Sequence, residues 1–338
     1  MNFHSNFRII FLNTMKTSKE NVLTTALLRI LDSVRYQLLM LALALGAPVA
    51  AGAAATGKTF ATPEAAVSAF VAAASAGDSN ALRVVFGPAA ADLENPDHVQ
   101  ATNEFSEFVT ALNRARRIVR ESDSRCVLEI GENSWPFAVP IVKKDGQWFF
   151  DTAAGTEELL NRRIGNNELS TLQSVRAYVE AQREYATKDR DGDEVLEFAQ
   201  KFGSAPGRKD GLYWSPDIDG EISPLGPLAA EAQEQGYSGK SGEEGAGPEP
   251  FQGYFFKVLT RQAKSAPGGK YDYLINGNMI GGFALVAWPA EYGNSGIMSF
   301  IVNQQGRVYQ KDLGSKTDKI ARSMKEYNPD STWAISRE

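Results

Sequence analysis

A chain of 338 residues, 43% hydrophobic and 22% charged, is neither disordered nor fibrous and has room for two domains of ordinary size. Its net charge of −6 argues against nucleic acid or anionic lipid as a partner. With one cysteine, Cys126, and two histidines, His4 and His98, an intramolecular disulfide is excluded, and a transition-metal cluster or a Ser-His pair has almost nothing to be built from.

The run 38–45 is apolar but too short to span a bilayer, Arg29 and Arg35 precede it, and small residues lead up to Ala55. A secretory signal peptide over residues 1–55 is therefore expected, with translation starting at Met1 or, because the basic region is long, at Met15. The remaining chain would hold 30 basic and 39 acidic residues, a net of −9. This predicts a periplasmic or secreted protein without stable membrane insertion, with no nucleic-acid ligand and with an unknown envelope protein as partner. Residues 52–59, Gly-Ala-Ala-Ala-Thr-Gly-Lys-Thr, match the phosphate-loop pattern, but that loop needs a buried strand before it and a helix starting at its Lys. Here a signal segment precedes and Pro63 delays the helix, so the match is read as coincidence in an Ala/Gly-rich tract.

A first domain is expected over 59–151. Thr62-Pro63-Glu64 opens a helix, with Thr62 as cap, Pro63 where the amide hydrogen is dispensable and Glu64 at the positive end of the dipole. Gly77-Asp78 ends it, and 80–86 forms a second helix. The spacing of Phe105, Phe108, Val109 and Leu112 predicts an amphipathic helix over 102–119. About three strands follow, at 125–130, 137–143 and 147–151, the last two joined at Asp145-Gly146. Cys126 beside Val127 and Leu128 reads as a small buried hydrophobe, and His98 as a surface turn residue.

From Gly155 to Thr187 apolar residues recur at helical spacing, interrupted by Gly165-Asn166-Asn167, which leaves open one kinked helix or two in series. Between Asp189 and Pro250 the chain reads as loop-dominated, with a Gly/Pro-rich stretch at 236–250. Four strands at 252–260, 280–288, 297–303 and 307–313 form an antiparallel meander, onto which the helix from about residue 168 should pack through Leu172, Val175 and Val179. The turn 291–296 holds two glycines that explain it without polar chemistry.

Asp189-Arg190-Asp191-Gly192-Asp193 is the candidate metal site. Three carboxylates at alternating positions can converge on Ca²⁺, with the Val195 carbonyl and a water-mediated contact from Glu197 completing the set. Glu194 stands where a calcium loop has Gly, and Gln200 where it has a bidentate Glu. An acidic, solvated turn is the simpler reading, and any affinity would be no tighter than about 10⁻⁴–10⁻³ M.

The phrase from Pro63 to Phe86 resembles the opening of nuclear-transport-factor-2-like domains. Ala181-Gln182-Arg183-Glu184-Tyr185, Asp210-Gly211-Leu212-Tyr213-Trp214, Ser223-Pro224-Leu225-Gly226, Phe251-Gln252-Gly253-Tyr254 and Lys311-Asp312-Leu313-Gly314 together resemble a family of exported bacterial proteins known as a domain of unknown function. The helix and meander are similar to the soluble halves of type IV pilins and pseudopilins. None of these resemblances carries a catalytic residue to this chain.

The expected fold is α+β in two domains: N-terminal helices on a small antiparallel sheet, and a C-terminal helix packed on a four-stranded antiparallel meander. The expected role is an exported structural or interaction module. The alternative is a carboxylate-dependent hydrolase or ligand-binding enzyme with an interdomain cleft.

Overall fold

The computed structural model describes residues 57–93, 95–218, 220–235, 237 and 249–336. The expected signal segment and most of the stretch 236–250 lie outside the described residues, as does the first part of the phosphate-loop match. Within that match, the Lys58 amide donates to Val84 O at 2.8 Å, and its ammonium lies 5.6 Å from the Phe60 ring centroid.

Helix α1, Pro63–Ser75, starts as its cap dictates, with Thr62 Oγ1 accepting from the Ala65 amide at 3.1 Å. Asp78 caps α2, Ser79–Phe86, its Oδ1 accepting from the Asn80 and Ala81 amides at 3.0 Å each. Helix α3 runs over His98–Arg114 and not over 102–119, because Asp97 caps it four residues earlier than expected and the chain turns extended at Ala115. Arg116–Ser122 is instead strand β1, paired antiparallel with β2, Arg125–Ile130. Ile118 and Val119 are β-branched, so the segment lies better on a pleated surface than on a helix end.

Strands β3 (Trp135–Pro136), β4 (Ile141–Lys144) and β5 (Gln147–Phe150) complete a five-stranded sheet of order β1-β2-β4-β5, with β3 also on β2. That is two strands more than the sequence suggests. The β4–β5 turn holds Asp145 at φ 52° and Gly146 at φ 79°, the left-handed pair that a two-residue hairpin requires. The N-terminal core lies between this sheet and the helices. Phe70 is its hub, with ring centroids of Phe86, Phe137 and Phe150 at 5.0, 5.3 and 5.5 Å.

Asp151 caps α4, a 34-residue helix over Thr152–Tyr185 that passes unbroken through Gly165-Asn166-Asn167. At 1.5 Å per residue it is about 50 Å long. Leu159 packs on the N-terminal core, while Leu172, Val175, Tyr178 and Val179 enter a second buried cluster. Helix α5, Gly226–Glu234, falls in the region read as loop.

The second sheet contains β6, Tyr254–Leu259. Short pairs follow it: β7 (Arg261–Gln262) with β8 (Tyr271–Asp272), and β9 (Leu274–Ile275) with β10 (Asn278–Met279). The sheet continues with β11 (Ala284–Pro289), β12 (Met298–Asn303), β13 (Tyr309–Asp312) and β14 (Ala334–Ile335), in the order β14-β13-β12-β11-β6. The expected meander is present and gains β14 as a fifth strand. Register places Leu285 beside both Val258 and Val302, on the face covered by α4. There the Tyr178 ring meets Phe283 edge-on, 5.6 Å between centroids. Helix α6, Thr317–Ser323, covers the opposite face, where Trp288 Nε1 donates to Asp318 at 3.0 Å and Lys257 Nζ donates to Arg322 O at 2.6 Å. The fold is thus α+β, with helices on two antiparallel sheets. Among the described residues no helix is long and apolar enough to cross a membrane.

Candidate functional site

Where α2, α3 and the first half of α4 diverge over the N-terminal sheet they leave an open groove of about 1350 Å³. Its floor is apolar because the inner stripes of these helices meet there: Leu82 and Phe86 from α2, Phe108 from α3, Leu159 from α4 and Ile130 from β2. The stripe read from the sequence on α3 is graded across the groove, with Leu112 fully buried, Phe108 and Val109 half-buried, and Phe105 39% exposed at the rim. On the facing rim Trp135 is 44% exposed, and the Arg162 guanidinium lies 4.5 Å from its ring centroid. Arg162 is held there by Glu158 at 2.7 Å and by the Pro136 carbonyl at 3.0 Å.

At one end of the groove stand Glu104 and Arg163. Desolvation between α3 and α4 raises the Glu104 carboxyl above its ordinary value, against the opposing charge of Arg163, and desolvation also lowers the Arg163 guanidinium. Arg163 donates to Asn294 Oδ1, and Asn294 Nδ2 donates to Glu291 at 3.0 Å. A second cavity of about 520 Å³, lined by Leu160, Glu291 and Asn294, shares Asn95 and His98 with the groove. The turn 291–296, read from the sequence as a plain loop tip, therefore closes one end of the site. His98 is exposed at the first turn of α3 rather than in a separate turn.

The geometry beneath this junction is fixed by buried polar groups. Asp97, 2% exposed, accepts from the Gln100 amide (3.0 Å), the Tyr237 hydroxyl (2.7 Å) and the Gly253 amide (3.1 Å). Asn167, fully buried on α4, accepts from Gln100 Nε2 at 2.6 Å and donates to Ser295 O at 2.8 Å. These contacts join residues far apart in the chain, and the sequence holds no periodic signal for them.

The acidic stretch lies elsewhere, beyond the C-terminus of α4. Asp189, Asp191 and Asp193 are exposed, and each offers a carboxylate oxygen within 4.8 Å of the others. Asp189 accepts from the Gly192 amide at 2.8 Å and the Glu194 amide at 3.0 Å, which holds its carboxyl below the ordinary range. Asp193 accepts from the Val195 amide at 2.8 Å and from Asn278 Nδ2 at 2.5 Å. Glu194 has φ 65°, the left-handed conformation for which a calcium loop uses Gly. Glu197 is drawn away from the aspartates: buried, it accepts from the Met279 amide at 2.6 Å, and burial raises its carboxyl. Cys126 is fully buried and its thiol is raised by burial, so it packs rather than reacts.

The model of the family described as Protein of unknown function (DUF2950) matches residues 57–335. Neither the curated proteins nor the solved structures gave a match.

Proposed function

The chain belongs to that family of unknown function, and on that premise we propose that it is an exported interaction module of the envelope or extracellular space, binding a partner in the groove between α2, α3 and α4. The observation that carries this reading is the pairing of an apolar floor, which includes Phe86 and Phe108, with exposed Phe105 and Trp135 at the rims. Exposed aromatic side chains around an apolar trough are the usual anchors of recognition. The three helices on one antiparallel sheet support kinship with nuclear-transport-factor-2-like domains, and α4 on its meander supports kinship with pilin-like soluble domains. Export rests on the segment 1–55, and mass spectrometry of the mature N-terminus should find cleavage near Ala55.

The test is site-specific crosslinking in intact cells. A photoreactive residue at position 105 or 135 should yield a discrete crosslinked product that the same probe at Ile335, exposed on β14, does not. Identical products from all three positions would remove the groove from consideration.

Calcium binding at Asp189, Asp191 and Asp193 is a second reading, supported by the approach of their three carboxylates. In this reading calcium would brace the exit of α4, leaving the groove to the partner.

A further inference from the structure

The two edges of the N-terminal sheet differ. Beyond β5 the chain covers its own edge, with the Phe60 and Trp148 main chains exchanging hydrogen bonds at 2.7 and 2.8 Å. Strand β1, Arg116–Ser122, ends the order β1-β2-β4-β5 and pairs with β2 alone. The ladder fixes which of its main-chain groups face outward. The Gly131 amide donates to Ala115 O at 2.8 Å, and the Leu128 carbonyl accepts from the Phe137 amide at 2.8 Å on the side of β2 away from β1. Bonded and non-bonded pairs alternate along antiparallel strands. Arg117 and Val119, opposite Glu129 and Val127, therefore spend their N–H and C=O groups on β2, while those of Arg116, Ile118 and Arg120 point off the sheet. Among the described residues no group bonds to that outward row. Ile118 and Val119 are half-buried and the rest of the strand is exposed.

Such a row is a template for a further strand, and edges are commonly blunted by charge. Here the charge is mostly of one sign. Residues 114–130 hold five arginines against Glu121, Asp123 and Glu129. Glu129 pairs with Arg117 at 2.6 Å and Glu121 with Arg125 at 2.7 Å, so among the described residues Arg114, Arg116 and Arg120 have no carboxylate partner. Arg116 donates to Leu112 O at 3.2 Å, and the Arg120 guanidinium rests 5.7 Å from the Trp148 ring centroid. Outside the hairpin, Lys143 and Glu64 bring one charge of each sign to this face, which leaves the excess unchanged. A second copy of the edge would set arginine against arginine, and like charges on paired strands repel.

We propose that β1 is the docking edge for an extended acidic segment of a partner protein, which adds a sixth strand to the five-stranded N-terminal sheet. Side chains of an added strand alternate in step with those of β1, so the row Arg116, Ile118 and Arg120 selects the order acidic-x-apolar-x-acidic, with the apolar residue extending the core contact of Ile118. That order reads the same in both directions and suits a parallel or an antiparallel addition. Both arginines can exchange their neutral contacts for charge-assisted bonds to the incoming carboxylates. This edge is separate from the groove, whose lining contains none of residues 116–122.

The experiment adds the end-blocked peptide Thr-Glu-Thr-Val-Thr-Glu-Thr to the purified protein and reads binding by fluorescence anisotropy and amide hydrogen exchange by NMR. At saturation the peptide should slow exchange at Ile118 and Arg120 about tenfold or more, and leave unchanged Arg117 and Val119, which are already bonded to β2. N-methylation of one alternate set of peptide amides should abolish binding while methylation of the other set should not, since only one set faces β1. Arg116→Glu combined with Arg120→Glu should weaken binding about tenfold or more and should accept instead the peptide with Lys in place of Glu. Both positions are exposed, and the methylated peptides test the native chain without any variant. No binding at millimolar peptide, or binding indifferent to methylation of either set, would overturn the proposal. So would a dimer in sedimentation whose Ile118 and Arg120 amides are protected without peptide, since the edge would then join two copies of the chain.

Discussion

The Asn167 side chain, fully buried near the middle of α4, donates to the carbonyl oxygen of Ser295 across 128 positions of sequence. Gly253 lies against the same amide: a Cβ built there would stand 2.3 Å from Asn167 Nδ2, and its φ is +78°. Gly253→Ala should therefore strain the backbone and displace a buried hydrogen bond at once. A loss of about 2–4 kcal/mol is expected from denaturant unfolding, combining the left-handed penalty with an unsatisfied buried group. A change below about 0.5 kcal/mol would show that the amide is not needed at this junction.

Leu172 tests the packing of α4 on the second sheet. It is 8% exposed in a cluster with Val175, Phe283 and Leu285. Leu172→Ala should cost about 2–5 kcal/mol in chemical denaturation, toward the lower end because its site is not fully closed. Leu169, 63% exposed on the same helix, should tolerate Ala within about 0.5 kcal/mol. Equal effects at both positions would contradict the packing.

Glu221 gives a pH signature. Its hydrogen bonds to Lys209, Lys188 and Arg190 hold the carboxyl at about 2, against an ordinary value of 4.5. A depressed carboxyl contributes its stability in full above the unfolded value, and that contribution fades as pH falls from 4.5 toward 2. Thermal melts across this window should therefore show a shallower acid decline for Glu221→Gln than for the native chain. Glu197, raised by burial, acts in the opposite direction but is common to both proteins and cancels in the comparison. Parallel curves would mean that the three cations do not stabilise the ionised form.

Calcium at the acidic turn is expected to bind with a Kd of about 10⁻⁴–10⁻³ M. Isothermal titration of the native chain should show this, and Asp191→Asn should remove it. Glu194→Gly should tighten it, because Gly relieves the φ of 65° and leaves the three aspartate carboxylates in place. No heat and no rise in Tm at millimolar calcium would leave a solvated turn.

The meander was legible because its strands are rich in aromatic and β-branched residues between Gly- or Asn-containing breaks, and two-sided burial leaves β11 apolar throughout. The start of α1 was legible from Thr62-Pro63 alone, since a cap acts over three residues. Strand β1 was hidden because Arg116-Arg117-Ile118-Val119-Arg120 follows a helical stripe and satisfies the helical period a little further; pairing with β2 decides its state. The helical continuity of 165–167 was hidden for the converse reason. Gly165 weakens a helix by propensity, but a buried Asn167 with partners on both sides holds this stretch in place. The acidic triad was visible as a local pattern. The groove, the Glu104–Arg163 pair and the Glu221 cluster are assembled from residues that only the fold brings together.

Because α4 contributes Leu159 to one core and Leu172 to the other, it sets the rotational phase between them. Each residue of an α-helix advances the side chains by about 100°. Inserting or deleting one residue between Leu159 and Asn167 would turn the stripe Leu172-Val175-Val179 off its sheet while leaving both cores chemically unchanged. Over this span the chain is constrained in length more tightly than in composition, and Asn166, exposed on the helix, should accept many substitutions where a single-residue gap would not be tolerated.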